Sequence, residues 1–175
     1  LRHAYPVARS VPLMRKDFIV DPYQIFEARL LGATGVLLIV RMLPIKTLIE
    51  CLLHAQRLGM FVLLEIFDDS ELQALSMALE SWTQDPSRCL IGVNSRNLVT
   101  LEVDLQHLYR MVNRLPSGHP KVAESGLETP SDARSLASAG YDLALVGGAL
   151  MKSSQPNNLL RDMIQAGMTG VDERP

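Results

Sequence analysis

Residues 11–40 read VPLMRKDFIVDPYQIFEARLLGATGVLLIV. A short apolar run from Val11 ends in Lys16 and Asp17, and a longer one starts at Gly35 and stays apolar to Val40. Between them, Asp21-Pro22 supplies an N-cap and a first-turn proline, and Gly32 a C-terminal stop, so the intervening segment predicts a helix. The stretch is therefore strand, helix, strand. A lysine at the end of the first run is either a charge at a strand exit or a working group at the mouth of a pocket.

The same unit repeats along the chain. Further apolar runs begin at Phe61 (FVLLEI), Leu90 (LIGVNS), Lys121 (KVAES) and Leu143 (LALVGG). Most are continuously apolar rather than alternating, as expected for parallel strands covered on both faces by helices. Gly59 ends the helix before the third run, and Thr129-Pro130 with Asp132 opens another that closes at Gly140. Six βα units in series predict an α/β protein with a parallel sheet, a single domain over residues 1–175.

Where the polar residues fall selects among such sheets. Lys16, Glu65, Asn94 and Glu124 each end a different run. A doubly wound sheet gathers its active groups at one switch point, whereas a (β/α)8 barrel draws them from the C-terminal ends of many strands. Alternation allows each to point inward: Met14 shares a face with Lys16, Leu63 with Glu65, Gly92 with Asn94, and Val122 with Glu124. The repeat is about 26 residues, so eight units would need roughly 210 and a typical barrel about 250. The expectation is a partial barrel of about six βα units, corresponding to strands 3–8. Leu1, Ala4 and Val7 have helical spacing and read as the tail of a preceding helix, and the chain ends soon after its last helix, at GVDERP, with no fused downstream enzyme expected.

Composition is that of a globular chain, 47% hydrophobic and 21% charged. A net charge of −2 gives no general electrostatic reason to bind nucleic acid or an anionic membrane. No apolar run reaches the roughly 18 residues a spanning helix needs, and LRHAYPVARS has no signal-peptide core. Cys51 and Cys89 lack metal-ligand spacing and read as packed thiols of a cytoplasmic protein. His3, His54, His107 and His119 read as solvated, and Asp68, Asp69 and Glu71 as charges at a helix N-terminus rather than a metal cluster.

RKDFIVDPYQIFEA, LLEIFDDSEL, IGVNSRNLVTLEVDL, AESGLETPSD and LVGGALM together resemble indole-3-glycerol phosphate synthase, from about Val11 to Leu160. The resemblance implies a (β/α)8 barrel that closes the indole ring of 1-(2-carboxyphenylamino)-1-deoxyribulose 5-phosphate with loss of carbon dioxide and water, using no cofactor and no metal. It implies Lys16 as the general acid at the substrate's keto oxygen and Glu65 as a proton-transfer group in the later dehydration. A glutamate sunk in FVLLEIF needs a partner in any case, and Lys16 is the expected one. Asn94 and Glu124 match groups that hold substrate hydroxyls and orient the lysine, and Arg96 matches an arginine near the site. Ser125 offers a hydroxyl, and Gly126, Gly147 and Gly148 supply close-approach turns for the phosphate.

The sequence departs from the family pattern in places. Ser95 stands where a second asparagine is usual and Phe67 where histidine is frequent; neither is expected to do chemistry. The family's first strand carries a glutamate and a second catalytic lysine, followed by a serine-containing phosphate loop, and residues 1–175 hold no equivalent. Two readings stay open: an enzyme completed by an N-terminal segment, or an inactive paralogue serving as an anion-binding or interaction module. Another phosphate-binding barrel, such as an isomerase, is disfavoured by KDFIVDPYQI and by the lack of paired aspartates at strand ends. Association through open sheet edges is expected.

Overall fold

The structure, a computed structural model, describes residues 11–174; the helical tail expected at Leu1–Val7 lies outside them. All six expected strands form, and they are hydrogen-bonded in chain order, β1-β2-β3-β4-β5-β6. The fold is that of six consecutive βα units of the (β/α)8 type. Strands β1 and β6 are the two ends of the order. The described residues fall into two compact units, 11–91 with 116–119 and 92–115 with 120–174.

The first unit contains β1 (Met14–Arg15), α1 (Tyr23–Leu30), β2 (Gly35–Ile39), α2 (Ile45–Arg57), β3 (Phe61–Ile66), α3 (Leu72–Glu80) and the start of β4 (Cys89–Asn94). Strands β1, β2 and β3 pair in parallel, with Met14 opposite Gly35 and Ile39 opposite Glu65. Every residue of β2 is buried, which requires cover on both faces. The first strand is shorter than the run from Val11 to Lys16. Pro12 has no N–H to give, and the Leu13 N–H goes to the Thr34 side chain, whose Oγ1 accepts it at 2.8 Å, while Leu13 O accepts from Thr34 N at 2.8 Å and Gly35 N at 3.1 Å. Lys16 thus lies just past β1. At α1, Asp21 Oδ1 accepts from Tyr23 N at 2.8 Å, the capping that Asp21-Pro22 predicts.

The second unit contains α4 (Leu105–Met111), β5 (Lys121–Glu124), α5 (Pro130–Ala139), β6 (Leu143–Leu145), α6 (Gly148–Lys152) and α7 (Pro156–Asp172). Strands β5 and β6 are parallel, with Glu124 opposite Leu145. Helix α5 opens on a reciprocal cap: Thr129 Oγ1 accepts from Asp132 N at 3.2 Å, while Asp132 Oδ2 accepts from Thr129 N at 2.8 Å. It stops at Gly140, which takes the left-handed conformation. Helices α5 and α7 pack closely where Gly170 lies on Arg134 O and Ala137. Strand β6 differs from β2 to β5 in being exposed, Leu143 by 49%.

Cys51 and Cys89 are buried free thiols, as their spacing predicted. Two histidines depart from the solvated reading: His54 packs its ring 4.8 Å from that of Phe26, and His119 Nδ1 lies 2.9 Å from Cys89 O, so both are half-buried. Among the described residues no helix is long and apolar enough to cross a membrane.

Candidate functional site

In the first unit, the residues after β1 and at the end of β3 meet. Glu65 is the fifth residue of β3 and is 1% exposed. Lys16 Nζ lies 3.4 Å from Glu65 Oε2, with the lysine side chain 47% exposed. A carboxylate this deeply buried needs a cation or hydrogen-bond donors beside it. The pair expected from the sequence is therefore present, and it leaves the lysine half in solvent.

Beyond Glu65 the chain turns at Phe67 into the acidic stretch before α3. Asp68 caps this turn, with Ser70 N donating to its Oδ1 at 3.0 Å, and Glu71 Oε2 accepts from Phe67 N at 2.6 Å and Asp68 N at 3.0 Å. These are helix-start charges, as read from the sequence. The sequence did not indicate Arg41. Its guanidinium grips Glu71 with Nε at 3.0 Å and an Nη at 2.7 Å, reaches Asp68 at 2.7 Å, and stacks 4.4 Å from the centre of the Phe67 ring. The Ser70 hydroxyl first, and Arg41 after it, hold Asp68 below the usual carboxylate range. An arginine thus locks the segment that follows Glu65 onto the end of β2. Its signal, an arginine after one run and acids after the next, is too common in sequences to single it out.

In the second unit, the ends of β4, β5 and β6 border a cavity of about 520 Å³ lined by Arg96, Ser125, Gly126, Glu128, Gly147, Gly148 and Lys152 among others. Asn94 Oδ1 accepts from Arg96 N and from Ser125 Oγ, each at 2.9 Å, so one side chain joins the two loops. Arg96 Nη1 donates to Leu101 O at 2.9 Å, and Arg96 pairs antiparallel with Val103, which folds residues 95–104 into a hairpin. Glu124 is 1% exposed. Ser125 and Gly126 both have positive φ, +68° and +82°. For a serine that conformation is uncommon and is characteristic of functional turns. A Cβ on Gly126 would meet Val103 Cγ1 at 2.6 Å and Leu105 Cδ2 at 2.8 Å, so glycine is needed there for close approach as well as for φ.

Five expected residues therefore border one cavity: Arg96, Ser125, Gly126, Gly147 and Gly148. Asn94 stands behind it through its contacts to two of them. Lys152, which the sequence reading omitted, also lines it. With Arg96 it gives the cavity two cations, and backbone amides of glycine turns supply donors. Such a cavity suits an oxyanion. Among the described residues no group of three or more His, Cys, Asp and Glu side chains converges to hold a metal ion.

A family model described as indole-3-glycerol phosphate synthase matches residues 4–163. The chain belongs to the indole-3-glycerol phosphate synthase family. Named members of it include a protein of Parafrankia sp. (strain EAN1pec), 43% identical over 165 residues, and one of Mycobacterium leprae, 42% identical over 164. Each alignment takes in 94% of this chain, which spans 58% and 57% of those relatives' lengths. Solved structures share the fold at low identity. The 3-hexulose-6-phosphate synthase of Salmonella typhimurium superposes with a TM-score of 0.78 at 14% identity, covering 97% of this chain and 79% of that one. The 3-keto-L-gulonate-6-phosphate decarboxylase of Vibrio cholerae gives 0.73 at 15%, covering 99% and 77%.

Proposed function

We propose that this chain is the larger part of an indole-3-glycerol phosphate synthase, a decarboxylating lyase of tryptophan biosynthesis. Its substrate is 1-(2-carboxyphenylamino)-1-deoxyribulose 5-phosphate. What carries the reading is the family match together with the Lys16–Glu65 pair, a half-exposed ammonium held 3.4 Å from a buried carboxylate. In ring closure the aromatic carbon bearing the carboxylate attacks the ketone carbon, and the ketone oxygen gains negative charge. Lys16 gives that oxygen a proton as the bond forms. Carbon dioxide then leaves, restoring the aromatic ring, and loss of the hydroxyl as water completes the indole. Glu65 serves the proton transfers of that dehydration.

The remaining residues position the substrate. Arg96, Ser125 and the amides of Gly126, Gly147 and Gly148 receive the phosphate, with Asn94 and Glu124 holding substrate hydroxyls. No cofactor is invoked for any step.

The test is indole formation followed by fluorescence from the ring-open substrate. Residues 1–175 alone are expected to turn over little, because the family's first-strand lysine and serine loop have no counterpart in them; one missing proton-transfer group removes about 10²–10⁴ in rate. Joining the preceding segment of a longer relative, covalently or in trans, should restore turnover, and Lys16→Ala should abolish it again. Robust turnover by residues 1–175 alone would refute the missing-acid argument. A complemented Lys16→Ala enzyme with full activity would refute the role of Lys16.

A further inference from the structure

We infer that Ser95 is a positioning residue, which sets the backbone of the Ser125–Gly126 turn and with it the donors of the oxyanion cavity. The inference rests on the reading of that cavity as a phosphate site. Ser95 follows β4 and is 5% exposed. Its N–H donates to Glu124 O at 3.0 Å. Its Oγ lies 3.1 Å from Glu124 O and 3.1 Å from Ser125 O. A hydroxyl has a single proton. Since the Ser95 amide already serves Glu124 O, that proton is at the disposal of Ser125 O.

These two carbonyls flank the Cα of Ser125, one before φ and one after ψ. Gripping both fixes the two torsions at which Ser125 departs from ordinary serine geometry, φ +68°. Such a conformation persists only where the surroundings over-determine it. The other contacts to the turn act elsewhere. Asn94 accepts from the Ser125 hydroxyl, and Val103 and Leu105 cover Gly126. Ser95 holds the main chain itself. It is anchored in turn by Asp104 N, which donates to Ser95 O at 3.1 Å.

The consequence reaches the cavity through peptide geometry. In a trans peptide the C=O and N–H point in opposite directions. With Ser125 O tied to Ser95, the N–H of Gly126, a residue of the cavity lining, is turned away from Ser95 and fixed in direction. The residue that replaces the family's usual asparagine therefore acts on the oxyanion site without touching the oxyanion.

The experiment titrates inorganic phosphate into residues 1–175, observed by amide NMR, for the parent chain, Ser95→Ala and Ser95→Thr. In the parent chain the Ser125, Gly126, Gly147 and Gly148 amides should shift, and the Ser125 coupling constants should report a positive φ. Ser95→Ala should keep the resonances of β2 and β3 in place, release Ser125 toward negative φ, and weaken phosphate by roughly tenfold, the worth of one well-placed hydrogen bond. Ser95→Thr, which keeps the hydroxyl, should retain both properties. If the parent chain shows no phosphate response at those amides, the site reading fails and the inference falls with it. If the parent responds and Ser95→Ala keeps both the positive φ and the affinity, the inference alone is overturned. Loss of both properties in Ser95→Thr as well, with that variant folded, also overturns it, because the hydroxyl would then not be what matters.

Discussion

At the scale of single residues, burial governs chemistry most plainly at the two cysteines. Removal from water pushes the Cys51 thiol up to about 11 and the Cys89 thiol up to about 12. Both should resist a thiol reagent at neutral pH in the native chain and react at once in urea. The same shifts set a direction for stability. An unfolded thiol ionises near its ordinary value, about 8.5, while the folded one stays neutral. Stability from these groups is therefore intact below that pH and is lost as pH rises toward the folded values. Replacing both cysteines by alanine should flatten the alkaline fall in denaturation midpoint. Tyr141 offers a second check: its buried hydroxyl donates to Leu108 O at 2.9 Å, so Tyr141→Phe should cost about 0.5–1.5 kcal/mol, read from urea unfolding. Of the residues expected to carry function, the ones legible in the sequence end an apolar run with a charge or amide. Lys16, Glu65, Asn94 and Glu124 announce themselves that way. Arg41, Ser95 and Lys152 do not, because their roles depend on hydrogen-bond partners 27 or more residues away or on a cavity wall.

At the scale of elements, the helix punctuation was legible because capping is local. Asp21, Thr129 with Asp132, and Gly140 each act on residues within one turn. Thr129→Ala should remove the reciprocal cap of α5 and lower stability by about 1 kcal/mol, measured by chemical denaturation. The loop after β4 was not legible, since its hairpin exists through the pairing of Arg96 with Val103, and Val103 packs over Gly126 on another loop. That dependence makes Gly126→Ala a sharper test. The new Cβ meets Val103 at 2.6 Å at a φ of +82°, so the loss should be about 1–3 kcal/mol, with the amides of residues 95–105 shifting in NMR. The late start of β1 has a similar reason: Thr34, a side chain 21 residues on, takes the Leu13 N–H.

At the scale of the whole molecule, the two terminal strands bring apolar surface with them. Leu143 on β6 is 49% exposed, and Leu160, Ile164, Met168 and Val171 line an exposed face of α7. Near β1, Tyr23, Phe26 and Leu30 do the same on α1. Terminal strands of a sheet beside apolar helix faces favour self-association. Residues 1–175 should therefore sediment as concentration-dependent oligomers, and Ile164→Lys with Met168→Lys should shift them toward monomer.

The chain-order pairing of the sheet also bears on how the molecule is made. Strands begin at residues 14, 35, 61, 89, 121 and 143, so each finds its neighbour in the strand synthesised just before it. Among the described strands no pairing waits for a distant partner, and the entropy of loop closure changes little from one step to the next. Growth on the ribosome can then proceed by accretion, each emerging βα unit adding to an existing edge as translation advances. Chains arrested just after β3 should already protect the β2 amides from hydrogen exchange, while chains arrested before Phe61 should not.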